Sequence, residues 1–505
     1  MNVMMLLEMA SAGFGDRIGL GSKDGGGLTY EQMYQRAGSA AAYFLGAGVE
    51  RVSMVDVSSP ALPLTLFGSA WAGKPFVPLN FRLTADELRR LAAEVAPTVT
   101  VCEPQAQPKL YDIPGVQPVL RDDFLATIAT HPCAPAEWSM DPDDIAILLY
   151  TSGTTGAPKA AVLRHKHLVS YIFSSVEFMG AEEDEATLIS VPPYHIAGMA
   201  AILSSVYAGR RIVQLPNFDA GTWVQLAIHE GITHAMVVPT MLARIVDYMD
   251  QHGIDNIPTL RALSYGGGKM PLPVIEKALD LLPQCNFVNA YGLTETSSTV
   301  CILGPDDHRA ARSSDDLVVR RRLTSVGKPL PSIELTVRDD DGRAVEPGAR
   351  GEIWVRGEQV AGEYLGRGSL LNAEGWFPTK DGGYVDDDGF LFLEGRMDDI
   401  IIRGGENISP GEIEDVLLLH DTVADAAAVG VPSRQWGEAV GAVVVRTPGS
   451  SATADELHDW VSQHLRSSRA PEVIVFRDEL PYNDMGKLLR RVLKAELSEL
   501  GNVEG

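Results

Sequence analysis

Cysteine is scarce in this chain: Cys102, Cys133, Cys285 and Cys301 are the only four among 505 residues. None forms a CxxC pair and none has companion histidines at zinc-ligand spacing, which excludes a disulfide framework and a zinc ribbon. The expectation is a reduced, cytoplasmic protein in which each cysteine is buried filler. Long apolar runs are missing too. No stretch approaches the roughly eighteen charge-free residues of a membrane span. The N-terminus carries Glu8 and Asp16 without a basic lead and lacks a signal-peptide pattern; peripheral contact with a bilayer stays open. Positive charge is the third shortage: 42 Lys+Arg against 67 Asp+Glu leave a net charge of −25. That excludes non-specific binding to nucleic acid, which needs a positive field to displace counterions. Anionic small ligands are not excluded, because backbone N–H groups and a few local cations can hold them.

What is present is a globular composition, 45% hydrophobic and 22% charged, in a chain long enough for roughly two to four packed units. Helical and strand signals alternate from the start. Residues 29–47 carry apolar side chains at helical spacing behind Thr29 and Gln32, a capping-box pattern, and Thr84 with Glu87 repeats it. Strand-like runs at 51–57, 76–78 and 98–102 lie between helices, and from 145 the same alternation recurs, with strands at 145–150, 186–191, 211–215 and 235–238. This is α/β layering. Between about 320 and 395 short strands separated by Asp/Gly turns read as a small β-rich unit. The arginines 320–322 read as a solvated turn or strand edge. After 396 a new helix and strand pattern runs to the end. The expected architecture is a large multi-lobed α/β domain over 1–395 (two α/β layers plus the β-rich unit), a hinge at 396–399, and a smaller mobile α+β domain over 400–505.

The strongest local signal is Tyr150–Thr151–Ser152–Gly153–Thr154–Thr155–Gly156–Ala157–Pro158–Lys159. An apolar strand runs into hydroxyls that donate to phosphate oxygens, glycines that let the backbone approach closely, and a lysine that neutralises charge. Pro158 before Lys159 rules out a Walker loop. Further motifs follow in order: residues 192–198 around His195, Gly266–Gly267–Gly268, Tyr291–Gly292–Leu293–Thr294–Glu295–Thr296, residues 375–381 ending in Asp381, residues 395–408 with Arg396, Gly404 and Gly405, and residues 486–490 with Lys487. This ordered set resembles the adenylate-forming (AMP-binding) superfamily, which includes acyl-CoA synthetases, aryl-CoA ligases, luciferases and peptide-synthetase adenylation domains. The likeness covers nearly the whole chain.

The resemblance implies an ATP-dependent acid:coenzyme A ligase. Such an enzyme forms an acyl-adenylate with release of pyrophosphate, then an acyl-CoA thioester with release of AMP. By it, Thr151, Ser152, Gly153, Thr154, Thr155, Gly156 and Lys159 grip the β and γ phosphates, Thr294 contacts the α-phosphate, and Glu295 supports Mg²⁺. Tyr291 stacks on adenine beside the Gly266–Gly267–Gly268 shelf, Asp381 holds the ribose hydroxyls, and Arg396 assists. Lys487 bridges the incoming carboxylate and the α-phosphate. Asp398 is the pivot of a domain rotation that replaces Lys487 with the Gly404–Gly405 loop at the pantetheine channel, and His195 gates the acyl pocket. Three departures from the common pattern stand out: Lys380 for the usual glycine before Asp381, Asn483 for a threonine, and Ser468–Arg469 for a Tyr-Lys pair.

By family position Tyr194, His195, Met199, Val238, Ser264, Tyr265, Gly266 and Ala290 line the acid pocket. None is a basic residue for a second carboxylate or an acidic one for an amino group. With the small residues Ala200, Ala201, Ser204 and Ser205 alongside, the reading leans to a medium- or long-chain fatty acid. The alternatives are an aryl or steroid-side-chain acid CoA ligase, a fatty-acyl-AMP ligase, and a catalytically inactive adenylate-binding scaffold. The partners expected are the acid, ATP and CoA, on a monomer or homodimer.

Overall fold

The computed structural model describes residues 1–151, 158–483 and 487–499. The chain divides into two compact units, one of Met1–Glu334 with Val355–Phe377 and one of Leu335–Trp354 with Pro378–Gly505. The first is a large α/β region and the second a smaller α+β region, the fold class the sequence predicts, with most of the β-rich segment expected in the large domain falling in the second unit.

Two sheets build the first unit. One has nine strands in the order Lys328–Pro329, Ser298–Leu303, Asn286–Leu293, Ala262–Gly266, His234–Val237, Ala186–Ile189, Arg211–Gln214, Ile18–Leu20 and Leu28–Thr29. The other has eight: Gly368–Ser369, Glu363–Tyr364, Lys159–Arg164, Ile145–Thr151, Phe76–Pro78, Arg51–Val55, Thr98–Cys102 and Val116–Leu120. Their central strands are parallel, with Val52 opposite Val99 and Leu263 opposite Phe287. All five residues of Thr98–Cys102 are buried, as expected where helices cover both faces of a parallel sheet. The hydroxyls such a strand carries need internal partners. Ser53 and Thr100 meet at 2.7 Å, and Thr98 Oγ1 donates to Ser53 Oγ at 3.1 Å.

The two helices with capping-box sequences start where the sequence places them. Thr29 Oγ1 accepts from the Gln32 N–H at 3.2 Å while Gln32 Oε1 accepts from the Thr29 N–H at 3.0 Å, opening Tyr30–Gly46. The same reciprocal cap opens Ala85–Val95, which buries Leu88, Leu91, Ala92 and Val95, one face of a helix. By contrast every residue of Ala61–Trp71 is buried, the mark of a helix packed on all sides.

In the second unit a four-stranded sheet runs Glu334–Arg338, Gly351–Arg356, Phe377–Val385, Leu391–Arg396. A five-stranded sheet runs Glu406–Ile408, Ile401–Arg403, Gly437–Arg446, Val423–Ser433, with Val473–Arg477 also beside Gly437–Arg446. Helices Pro410–Leu418 and Ala454–His464 cover one of its faces through Ile413, Leu417, Leu457 and Val461. Among the described residues no helix is long and apolar enough to cross a membrane.

Two expectations change. The arginines 320–322 are helical, because Asp316 Oδ1 accepts from the Val318 N–H at 2.8 Å and opens Leu317–Arg321, followed by a 3₁₀ turn at Arg322–Thr324. Arg320 pairs with Glu276 at 2.8 Å. Cys102, Cys285 and Cys301 are buried as expected, but Cys133 is exposed. It lies on a surface segment without secondary structure, its thiol donating to Gln35 O at 3.2 Å.

Candidate active site

Strand Ile145–Thr151 is paired antiparallel with Lys159–Arg164, Thr151 opposite Lys159, so the two ends of the phosphate motif are fixed side by side. Ser152, Gly153, Thr154, Thr155 and Gly156 lie outside the described residues, as does Gly486. Thr151 Oγ1 donates to Lys159 O at 3.4 Å. Lys159 Nζ stands 5.8 Å from the centre of the Tyr364 ring, and the Tyr364 hydroxyl donates to Glu295 Oε1. Lys159 and Glu295 are thus joined through a residue the motif reading did not single out. The segment carrying Tyr364 holds the Glu295 turn in other ways as well. The N–H groups of Ala361 and Gly362 both donate to Glu295 O, at 2.9 and 3.0 Å. Gln359, 1% exposed, donates to Thr296 O at 3.2 Å and Thr299 O at 2.7 Å.

Thr294–Thr296 is a single 3₁₀ turn after strand Asn286–Leu293. Ser297 and Ser298 follow with φ of 57° and 113°, left-handed values uncommon outside glycine and often found at functional sites. Tyr291 is near the carboxyl end of the same strand. Gly266 ends its parallel neighbour, opposite Ala290, so Gly266–Gly268, Tyr291, Thr294 and Glu295 share the carboxyl end of the sheet, where open α/β sheets bind ligands. A Cβ on Gly266 would sit 2.2 Å from Ala290 O, so the close approach of the two strands requires glycine there. Glu295 offers hard oxygen ligation of the kind Mg²⁺ takes from one carboxylate alongside phosphate oxygens.

His195 precedes helix Ile196–Ala208, its ring 4.6 Å from that of Tyr194, which in turn packs edge-on against Phe81 at 5.8 Å. Of the other residues expected to line the acid pocket, Met199 and Val238 are wholly buried, and Tyr265 lies in the core with its hydroxyl 2.8 Å from His308 Nε2.

Asp381, Arg396, Gly404, Gly405 and Lys487 belong to the second unit. Asp381 is 8% exposed and directly opposite Arg396, whose Nη1 donates to Asp381 Oδ1 at 3.0 Å and to Thr379 O at 3.2 Å. Lys380 turns away from this pair. Its N–H donates to Glu352 Oε1 at 3.2 Å, and its Nζ is 3.9 Å from the same oxygen. Gly404 and Gly405 make the tight turn between Ile401–Arg403 and Glu406–Ile408. The Gly404 N–H donates to Trp436 O at 2.8 Å, and a Cβ there would sit 2.9 Å from the indole. The Lys487 N–H donates to Asn483 Oδ1 at 2.9 Å and its carbonyl accepts from the Asn483 N–H at 2.9 Å, which gives the departure from threonine a role. Arg469 bonds Glu412 Oε1 at 3.1 Å. Near Lys487, burial raises the Asp399 carboxyl above the usual carboxylate value against the opposing pull of Arg490.

Residues 7–365 match the model of the AMP-binding enzyme family, and residues 412–487 match that of the AMP-binding enzyme C-terminal domain. The chain belongs to the AMP-binding enzymes. It is 34% identical over 486 residues to the fatty acid–[acyl-carrier-protein] ligase ScoC of Streptomyces coeruleorubidus, covering 93% of this chain and 92% of that protein. It is 32% identical over 481 residues to a feruloyl-CoA synthase of an Amycolatopsis species, covering 92% and 93%. Among solved structures it is similar to the o-succinylbenzoate CoA synthetase of Bacillus subtilis in complex with its acyl-adenylate intermediate, with a TM-score of 0.83, 28% identity, and 97% of each chain covered. This AMP-binding enzyme is an ATP-dependent, AMP-forming acid–thiol ligase.

Proposed function

We propose that the enzyme activates an aromatic or aryl-substituted carboxylic acid and transfers the acyl group to CoA. The observation that carries this reading is the row of rings Phe81, Tyr194 and His195. A flat aryl group gains from edge and face contacts with such a row, whereas an alkyl tail gains only area. Relatives whose acids are ferulate and o-succinylbenzoate support it over the fatty acid that the small residues at 200–205 suggest. The ScoC likeness favours a second reading, in which the acid is fatty and the accepting thiol is on a carrier protein.

Joining a carboxylate to the α-phosphate brings two anions together, so cations and donors must gather around the phosphates. In this reading Lys159, Thr151 and the 152–156 loop hold the β and γ phosphates, Thr294 reaches the α-phosphate, and Lys487 neutralises the charge shared by carboxylate and phosphate. Glu295 holds Mg²⁺, which when bound screens the phosphate charge. Tyr291 and Gly266–Gly268 flank adenine. Asp381 accepts from the ribose hydroxyls, its second oxygen oriented by Arg396. We take Asp398 as the pivot between residues 1–395 and 400–505, with Gly404–Gly405 entering the thiol step.

The test is acid-dependent pyrophosphate release across a panel of aryl and fatty acids, followed by offering CoA or a pantetheinylated carrier protein. The expected outcome is at least about ten-fold higher kcat/KM for aryl acids, roughly 1.4 kcal/mol of differential transition-state binding, with CoA as acceptor. Turnover confined to fatty acids and carrier protein overturns the proposal in favour of the second reading. Lys487→Ala should abolish adenylation while thioester formation from supplied acyl-adenylate survives.

A further inference from the structure

Lys159 and Glu295 carry opposite charges and are connected through one side chain, yet neither forms an ion pair among the described residues. Tyr364 stands between them. Its ring faces the ammonium at 5.8 Å, inside the range of a cation–π contact, and its hydroxyl donates to the carboxylate. We propose that Tyr364 is a positioning residue for adenylation: it aims the Glu295 carboxylate at the metal and keeps Lys159 from collapsing onto it. This rests on the reading of Glu295 as the magnesium carboxylate.

The backbone around Tyr364 is fastened independently of its phenol. Tyr364 pairs with Ala161 in strand register, and the Leu365 N–H donates to Ala160 O at 2.9 Å. Glu363 takes a forked ion pair from Arg164, at 2.9 and 2.7 Å. On the other side Ala361 and Gly362 hold the Glu295 carbonyl. The strap 361–365 therefore ties the strand that follows the phosphate loop to the turn that carries Glu295, and the phenol decides what their two charged side chains do. A direct Lys159–Glu295 pair would spend on each other the charges that phosphate and metal require. A hydrogen bond to one carboxylate oxygen fixes the plane of the group and leaves its other oxygen for the metal. That is how groups behind a metal ligand raise its affinity.

The experiment is calorimetric titration of ATP into the full-length protein at a series of Mg²⁺ concentrations, comparing the parent with Tyr364→Phe, Tyr364→Leu and Glu295→Gln. Tyr364→Phe keeps the ring and loses the hydroxyl. Its Mg²⁺ midpoint should rise about ten-fold or more, with metal-free ATP affinity unchanged. Tyr364→Leu also loses the ring, so metal-free ATP affinity should fall as well, because Lys159 is then drawn to Glu295. A Tyr364→Phe midpoint within about two-fold of the parent, with Glu295→Gln shifted, overturns the role of Tyr364 and leaves Glu295 as the metal carboxylate. An unshifted midpoint in Glu295→Gln overturns that assignment and the inference with it. Unchanged metal-free affinity in Tyr364→Leu overturns the separation of charges. If Tyr364→Leu does not fold, Tyr364→Phe decides alone. A purely structural role would lower ATP affinity at every Mg²⁺ concentration without moving the midpoint.

Discussion

Lys380 has a φ of 64°, where a Cβ costs about 1–2 kcal/mol against glycine. The common family pattern has glycine there, and the backbone explains why. The strain is partly offset by the contact of Lys380 with Glu352, which is long and half exposed and so worth at most about 1 kcal/mol. Lys380→Gly should therefore raise stability by about 0.5–1 kcal/mol, read as an increase in Tm. A fall in Tm would mean that the contact with Glu352 outweighs the strain. Asp381, next in sequence, is legible as a candidate site residue because its neighbours at 375–380 announce it. Tyr364 and Gln359 are not legible, because their partners Glu295 and Thr296 are 69 and 63 positions away. Only folding reveals what such residues hold.

The segment that carries Lys487 is positioned from both ends. Before it, Tyr482 pairs with Leu488 and its hydroxyl donates to Asp425 Oδ2 at 2.8 Å. After it, Arg490 opens helix Arg490–Glu499, with Nη2 donating to Glu414 Oε2 at 2.9 Å, Nη1 donating to Ala428 O at 2.7 Å, and Nε 3.6 Å from Asp399 Oδ2. Glu414 is 5% exposed, so removing Arg490 leaves it without a cation and with only the Ala428 N–H donating to Oε1 at 2.8 Å. Arg490→Met should destabilise the second unit by about 3–5 kcal/mol, measured by denaturant unfolding. Adding Glu414→Met should restore a large part of that, and a double variant as weak as the single would show that Glu414 is not what Arg490 satisfies. At this scale the sequence is most readable where signals are local. The caps at Thr29, Thr84 and Thr453 each act on a residue three positions on. The 317–324 segment shows the limit: the arginines read as a turn or strand edge are helical, with Leu317 and Val318 79% and 64% exposed, because the Asp316 side chain caps the turn.

Across the molecule, buried histidines add to the loss of stability in acid. His165 and His167 are 2% and 6% exposed. Their Nδ1 atoms accept from the N–H groups of Val3 at 3.2 Å and Arg164 at 3.3 Å, which requires that nitrogen unprotonated. Burial pushes each down from 6.5 to about 4, and Lys166 and Arg164 add to the effect at His167. The unfolded chain therefore binds protons first. The stability these residues contribute is complete above about pH 6.5 and lost as pH falls toward about 4, at roughly 1.4 kcal/mol per pH unit for each. Unfolding free energies measured between those limits should fall less steeply in His165→Gln and His167→Gln than in the parent. Parallel slopes would show that neither histidine is held neutral. The same burial closes the thiols: it raises those of Cys102 and Cys285 to about 12 and that of Cys301 further. Cys133 alone meets solvent. The unaltered chain thus carries a single chemical address, where a maleimide dye attaches to the first unit without any cysteine having to be removed.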